Sequence, residues 1–141
     1  MSGETFEDLV ETFEFMDDWE DRYRYVIDLG KQLPPMDEAL KSPATKVDGC
    51  ASQVWLAPSI EGEGADRRLS FVGDSDAMIV RGLIAILRIL LSGRHPSEIT
   101  EADPLGAFAQ LGLDQHLSAQ RSNGLRAMIE RLQMLAAAAS A

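Results

Sequence analysis

Apolar side chains recur every three or four positions in three stretches of the chain, a spacing typical of helices with one buried face. These stretches cover residues 6–16, 18–30 and 122–135. Thr5 and Asp18 stand at the start of the first two and have the short polar side chains that cap helix N-termini. The pattern therefore predicts two helices at the beginning of the chain and one at its end.

Between these helices, two stretches predict the strands of an antiparallel hairpin. Val54 and Leu56 alternate with side chains that face the other way, and Leu69 and Phe71 mark a second strand. The run of acidic residues and glycines over 61–64 is typical of the turn that would join them. A small antiparallel sheet covered by helices indicates the α+β class.

The stretch over residues 77–92 is apolar on nearly every side, apart from Arg81 and Arg88. We expect a long helix here that is buried and central in the fold, since a helix with apolar residues all round needs partners on every face. Asp74 and Asp76 stand just before it and are placed to cap its N-terminus. Capping by itself would explain both carboxylates.

Composition narrows the class of protein. With 141 residues, the chain is long enough for one domain, spanning 1–141, with a substantial core. The 13 Lys and Arg residues against 23 Asp and Glu give a net charge of -10, which repels nucleic acid and anionic lipid. The most apolar segment, 78–91, is shorter than the roughly 20 residues that cross a bilayer. We therefore expect neither nucleic acid nor membrane as a partner.

Cysteine and histidine are scarce, which limits cofactors. One Cys cannot form an intramolecular disulfide, and one Cys with two His is too few for an iron–sulfur or zinc site. No glycine-rich phosphate loop is present, so no nucleotide cofactor is expected, and no metal. No secretory signal opens the sequence, and we expect a cytoplasmic protein.

The single cysteine, Cys50, follows the turn-forming pair Asp48-Gly49 and directly precedes the first predicted strand. A long irregular stretch that starts at Pro34-Pro35 leads up to it, and long loops in compact domains are often functional. Two interpretations stay open at this point. Cys50 is either a small apolar side chain that fills a gap or a reactive thiol presented by a loop.

The chemistry open to a reactive Cys50 is limited by its neighbours in sequence. A cysteine hydrolase needs a histidine base, and neither His95 nor His116 has a context that indicates pairing with Cys50. Arg121 could pair with a thiolate, although an ordinary solvated arginine is the simpler interpretation. A thiolate can also attack a sulfur–sulfur bond and accept one sulfur as a persulfide, which needs no metal. A sulfur relay of this kind fits a lone loop cysteine.

The chain resembles the SufE family, whose members accept sulfur from cysteine desulfurases and activate them. The likeness extends over nearly the whole chain and rests on four groups of residues. They are Trp19-Glu20-Asp21-Arg22-Tyr23 with Ile27-Asp28-Leu29-Gly30, the run Val47–Leu56, Gly73-Asp74-Ser75-Asp76-Ala77 with Val80-Arg81-Gly82-Leu83-Ile84-Ala85, and Gln115-His116-Leu117 with Arg121-Ser122-Asn123-Gly124-Leu125.

The resemblance implies that Cys50 receives sulfur from the persulfide of a partner cysteine desulfurase and passes it on to iron–sulfur scaffold proteins for cluster assembly. Pyridoxal phosphate would belong to the partner, and this chain would need no cofactor. The family fold implies a three-stranded sheet. The residues expected to surround or support Cys50 are Gly49, Ser52, Gln53, Asp74, Asp76 and Arg121.

Two alternatives remain open at the level of the sequence. In the first, the chain is a docking module that activates a desulfurase without catalysis, and Cys50 is dispensable. In the second, Cys50 is the nucleophile of an independent hydrolase. The family also has two branches, which serve different desulfurases, and the sequence does not separate them.

Overall fold

The computed structural model describes residues 5–49 and 52–140. Within these ranges the chain forms six α-helices and one two-stranded antiparallel sheet, which confirms the α+β class. In chain order the elements are α1 (Phe6–Glu14), α2 (Trp19–Lys31), β1 (Val54–Glu61), β2 (Arg68–Ser75), α3 (Met78–Leu91), α4 (Pro96–Glu101), α5 (Pro104–Gln110) and α6 (Ala119–Ser140).

The two N-terminal helices begin as their caps predict. The Thr5 hydroxyl accepts a hydrogen bond from the Asp8 amide at 3.2 Å, and the Asp8 carboxylate accepts one from the Thr5 amide at 3.0 Å. Arg22 of α2 then donates to the carbonyls of Met16 at 2.8 Å and Phe13 at 3.0 Å, the latter in the last turn of α1. A cation at a helix C-terminus satisfies carbonyls that lack an intrahelical partner, so Arg22 fixes the angle between α1 and α2.

The predicted hairpin is present, with β1 and β2 paired from Val54–Ser75 to Glu61–Arg68. The third strand is not confirmed in the described part of the chain. There, the segment before Cys50 adds one bridge to β1, between Lys46 and Trp55. The Thr45 amide donates to the Ser42 carbonyl at 3.1 Å and closes a turn just before the bridge. Too few extended residues therefore remain ahead of the bridge to form a strand.

Helix α3 has nine buried residues and spans the predicted stretch to within one residue at each end. Its main neighbours are α2 and β2, whereas α6 packs chiefly on α4, so the central position expected for α3 is not confirmed. Two glycines let α2 and α3 cross closely. A Cβ atom on Gly82 would lie 2.2 Å from the Val26 carbonyl oxygen, and one on Gly30 would lie 2.6 Å from the Gly82 nitrogen.

The buried side chains form one apolar cluster that includes residues from α1, α2, both strands and all the later helices. Phe71 of β2 and Phe108 of α5 are among its largest fully buried members. None of the helices in the described ranges is long and apolar enough to span a membrane.

Candidate functional site

Cys50 lies outside the described residues, so the geometry of the candidate site is built from the residues on either side of it. The backbone closes a loop at Val47 and Val54, where the Val47 amide donates to the Val54 carbonyl at 2.8 Å. The Leu56 amide donates to the Thr45 carbonyl at 2.9 Å and continues the pairing. The loop between Val47 and Val54 is therefore attached to β1 at both ends, and Cys50 belongs to it by sequence.

Gly49 immediately precedes Cys50 and has a φ of +90°, a backbone angle that favours glycine. A Cβ atom at this position would lie 3.4 Å from the Ala127 side chain of α6. This side of the loop therefore runs against α6.

The other end of the loop is held by Asp76. The Gln53 amide donates to the Asp76 carboxylate at 3.0 Å, and the Asp76 amide donates to the Gln53 carbonyl at 3.3 Å. The Gln53 side chain itself is exposed. Asp76 thus couples the loop to the segment that enters α3, and does so through the backbone of Gln53.

The expectation that Asp74 or Asp76 caps α3 is wrong. The N-cap residue of α3 is Ala77, which has no side-chain capping bond, and the Ala77 amide donates to the Ser75 hydroxyl at 3.1 Å. Strand β2 continues to Ser75, so Asp74 lies in the strand rather than at the helix end. Pairing with β1 holds Asp74 in the strand. Both carboxylates make tertiary contacts instead, Asp74 with Lys41 and Arg81 and Asp76 with the Gln53 amide.

Asp74 is the centre of an ion-pair network. Its carboxylate lies 2.9 Å from the Lys41 ammonium and 3.2 Å from Nε of Arg81, and the Lys41 ammonium is also 2.8 Å from the Glu38 carboxylate. The Lys41 ammonium lies 5.2 Å from the ring centroid of Trp55, within the range of a cation–π contact. The network joins the segment before the loop to β1, β2 and α3.

The network shifts the titration of two of its members. Burial of Asp74 raises its pKa, but the hydrogen bonds from Lys41 and the Ser75 amide, with the charges of Lys41 and Arg81, outweigh burial and hold the pKa below its usual value. The hydrogen bonds to Glu38 and then Asp74 raise the pKa of Lys41. Both groups are therefore ionised at neutral pH.

Sequence reasoning missed two cations that hold the segment leading to the loop, Lys41 and Arg131. Arg131 of α6 donates to the carbonyls of Ala44 at 3.3 Å and Lys46 at 2.7 Å. The Lys46 contact spans 85 positions of the chain, so no local spacing could have indicated it. The one local sign of this role was a basic residue, Arg131, on a mostly apolar helix face. The same pattern is common on solvent-exposed helices, so it does not by itself indicate a contact.

A cavity of about 190 Å³ lies where the loop meets α3 and α6. Ser52 and Arg121 both line it, which brings two of the predicted site residues together, and Ser118 and Gln120 add polar groups from the start of α6. Its apolar lining residues are Val54, Val80, Leu83, Leu125 and Met128. Among the described lining residues, Arg121 is the one that carries charge.

Both histidines make structural contacts. The His95 Nδ1 accepts from the Ser97 amide at 3.1 Å, which leaves Nε2 to donate to the Gly64 carbonyl at 2.9 Å. His95 therefore caps α4 and fixes the turn of the hairpin. The His116 ring stacks on Trp19 with 4.0 Å between centroids, which joins the start of α2 to the segment before α6.

These features define a class: a small α+β domain that carries its only cysteine on a loop attached at both ends and bordered by a cavity with both apolar and polar lining residues. Within the described residues, no three His, Cys, Asp or Glu side chains approach one another as metal ligands do.

Comparison with known proteins identifies the family. The family model of SufE, described as the Fe-S metabolism associated domain, matches residues 7–136. An uncharacterised SufE-like protein of Rhizobium meliloti is 52% identical over 129 residues, which are 92% of each chain. Another from Rhizobium etli is 50% identical over 129 residues, covering 92% of this chain and 87% of the relative. The chain belongs to the SufE family, which is associated with iron–sulfur metabolism.

The fold has a counterpart among solved structures. The solution structure of a hypothetical protein from Thermus thermophilus superposes with a TM-score of 0.70 and covers 95% of this chain and 94% of its own. Its sequence identity is 24%, so the likeness concerns the fold alone.

Proposed function

We propose that this protein takes persulfide sulfur from a cysteine desulfurase onto Cys50, stimulates that desulfurase and relays the sulfur for iron–sulfur cluster assembly. The observation that carries the proposal is the shared cavity of Ser52 and Arg121, because Ser52 is two residues beyond Cys50. Consecutive Cα atoms are about 3.8 Å apart, so chain connectivity keeps residue 50 within roughly 8 Å of Ser52. Membership of the SufE family supports the same chemistry.

The proposed step is a displacement at sulfur. The Cys50 thiolate attacks the outer sulfur of the desulfurase cysteine persulfide, a new sulfur–sulfur bond forms to Cys50, and the desulfurase cysteine leaves as a thiolate. The proton lost from Cys50 balances the one that the released desulfurase thiolate takes up. Sulfur is transferred with no net oxidation, and this chain supplies no cofactor; pyridoxal phosphate belongs to the desulfurase.

The surroundings of the loop suit this step. The cavity combines apolar side chains with the hydroxyl groups of Ser52 and Ser118, and the charge of the Arg121 guanidinium favours the anionic form of sulfur. The Val47 bond to Val54 of β1 and the Gln53 bonds to Asp76 hold the loop on both sides of Cys50 in the sequence. The same role belongs in the cytoplasm, where thiols are kept reduced.

The test is intact-mass analysis of the protein after incubation with a cysteine desulfurase and free cysteine. The wild-type chain should gain about 32 Da, one sulfur, in a form that reductant removes. Cys50→Ser should gain nothing and should no longer stimulate the desulfurase. A Cys50→Ser protein that still stimulates fully would replace the proposal with activation by docking alone.

Arg121 is tested against a matched arginine of the same helix. Arg121→Met should slow sulfur transfer or shorten the lifetime of the Cys50 persulfide, whereas Arg126→Met, an exposed position that does not line the cavity, should leave both unchanged. Equal effects of the two substitutions would show that Arg121 acts only through overall charge.

A further inference from the structure

A second cleft, of about 630 Å³, lies where α2, β2 and the end of α3 meet. It shares no described lining residue with the cavity at the Cys50 loop. Leu29, Leu33, Pro34, Ala85 and Ile89 form its apolar lining. Arg88 of α3 also lines it, and is the one residue with a charged side chain among the described lining residues; we call this site the Arg88 cleft.

The charge of Arg88 has no counter-ion in the described part of the chain. Its Nε donates to the Phe71 carbonyl at 3.0 Å, which fixes the plane of the guanidinium. No carboxylate of the described residues lies within 4.0 Å of its nitrogens, although the chain has 23 Asp and Glu. Burial lowers the pKa of Arg88. A half-buried charge without a partner is uncommon, because desolvation is normally offset by pairing.

Other hydrogen-bond donors line the cleft beside Arg88. The Ser92 hydroxyl oxygen accepts from the Phe71 amide at 3.1 Å, so its own proton remains to be donated. Ser70 and Gln32 add a hydroxyl and a side-chain amide, and no described lining residue is acidic. On a protein with a net charge of -10, this is a local site that favours an anion.

We propose that the Arg88 cleft binds a carboxylate that carries a short apolar body. The two terminal amino groups of a guanidinium match the two oxygens of a carboxylate, and the apolar lining would contact the body. The volume falls within the roughly 300–1,000 Å³ range of small-molecule sites. The carboxylate comes either from a free organic acid or from an acidic side chain beside an apolar one on a protein partner.

The test is a nuclear magnetic resonance titration of the full chain with hexanoate, and with hexanol as the uncharged probe of the same length. Hexanoate should cause saturable shifts of the Phe71, Ser92 and Gly93 amides and of the Arg88 Nε–H. Hexanol should bind at least about tenfold more weakly, since it lacks the charge-assisted pair. Shifts that do not saturate, or equal binding of hexanol, would overturn the proposal.

Variants separate Arg88 from general charge. Arg88→Met should remove the preference for hexanoate over hexanol, and Arg88→Lys should keep part of it, because the charge stays and the planar fork is lost. Arg94→Met is the matched control, since Arg94 is exposed, bonds to the Leu90 carbonyl and does not line the cleft. An Arg88→Met protein that keeps the full preference for hexanoate, or an Arg94→Met protein that loses the preference to the same extent, would refute a role for Arg88.

The source of the carboxylate is settled by a second probe, the dipeptide acetyl-Leu-Glu amide. Tighter binding of the dipeptide than of hexanoate would assign the cleft to a protein partner, and the reverse order would assign it to a free acid. Saturable binding of neither probe would refute the site.

Discussion

Gln53 and Asp76 exchange two hydrogen bonds, at 3.0 Å from the Gln53 amide to the carboxylate and at 3.3 Å from the Asp76 amide to the Gln53 carbonyl. They join the residue three positions after Cys50 to the segment that enters α3. One end of the cysteine loop is thereby fixed to the start of the helix that carries much of the core.

The first prediction concerns this pair. Asp76→Ala removes the carboxylate acceptor, and the lost bond should cost about 0.5–1.5 kcal/mol of local stability. The amide of Gln53 should then exchange with solvent deuterium several times faster, which native-state hydrogen exchange measures. Asp76→Asn keeps a side-chain oxygen and should change exchange less. Unchanged protection of Gln53 in Asp76→Ala would show that the carboxylate is not the acceptor in solution.

The second prediction is a pH dependence set by Asp74. Its pKa is lowered below the usual value of 3.8, so its ion pairs stabilise the fold fully above pH 3.8, and this contribution disappears as the pH falls through the lowered pKa. Asp74→Asn should therefore unfold at lower urea concentration than the wild type at neutral pH, and the difference should close at more acid pH.

The matched control for Asp74 is Asp114→Asn, an exposed carboxylate that removes the same charge. It should leave stability nearly unchanged at both pH values. A stability difference for Asp74→Asn that persists below the lowered pKa would mean that packing, and not ionisation, is what the substitution disturbs.

The third prediction tests the crossing of α2 and α3. Helix propensity alone would make Gly82→Ala stabilising by about 1 kcal/mol. The added methyl group would instead meet the Val26 carbonyl oxygen at 2.2 Å, so the helices must separate, and we expect a net loss of about 1–3 kcal/mol. Chemical denaturation measures the difference. A gain in stability would contradict the close approach of the two helices.

The fourth prediction concerns His95. His95→Ala removes the cap of α4 and the bond to the Gly64 carbonyl, and should lower the free energy of unfolding by about 1–2 kcal/mol. Sulfur acceptance should be unchanged in the folded variant. His95→Asn keeps a capping oxygen and should recover part of the stability. Loss of sulfur acceptance by folded His95→Ala would contradict the purely structural role of His95 and would assign it a part in the transfer step.

Helices and strands were predicted well where the residues that specify an element lie next to one another in the sequence. The Thr5 cap, the hairpin pairing of β1 with β2 and the limits of α3 all follow from spacing and short-range preferences. The same reasoning was wrong for Asp74, which was predicted to cap α3. Its side chain suits a helix cap, but the residue lies in β2 and pairs with β1.

The sequence by itself determined that this is an α+β protein with one cysteine next to a glycine turn, and its motifs identified the family. Only the tertiary structure decided what surrounds that loop. Asp74 bonds to Lys41, Arg131 holds Ala44 and Lys46, and Ser52 shares a cavity with Arg121. These contacts join residues far apart in the chain. A local pattern cannot specify them, because they form only when packing of the apolar core brings α3, α6 and the hairpin together.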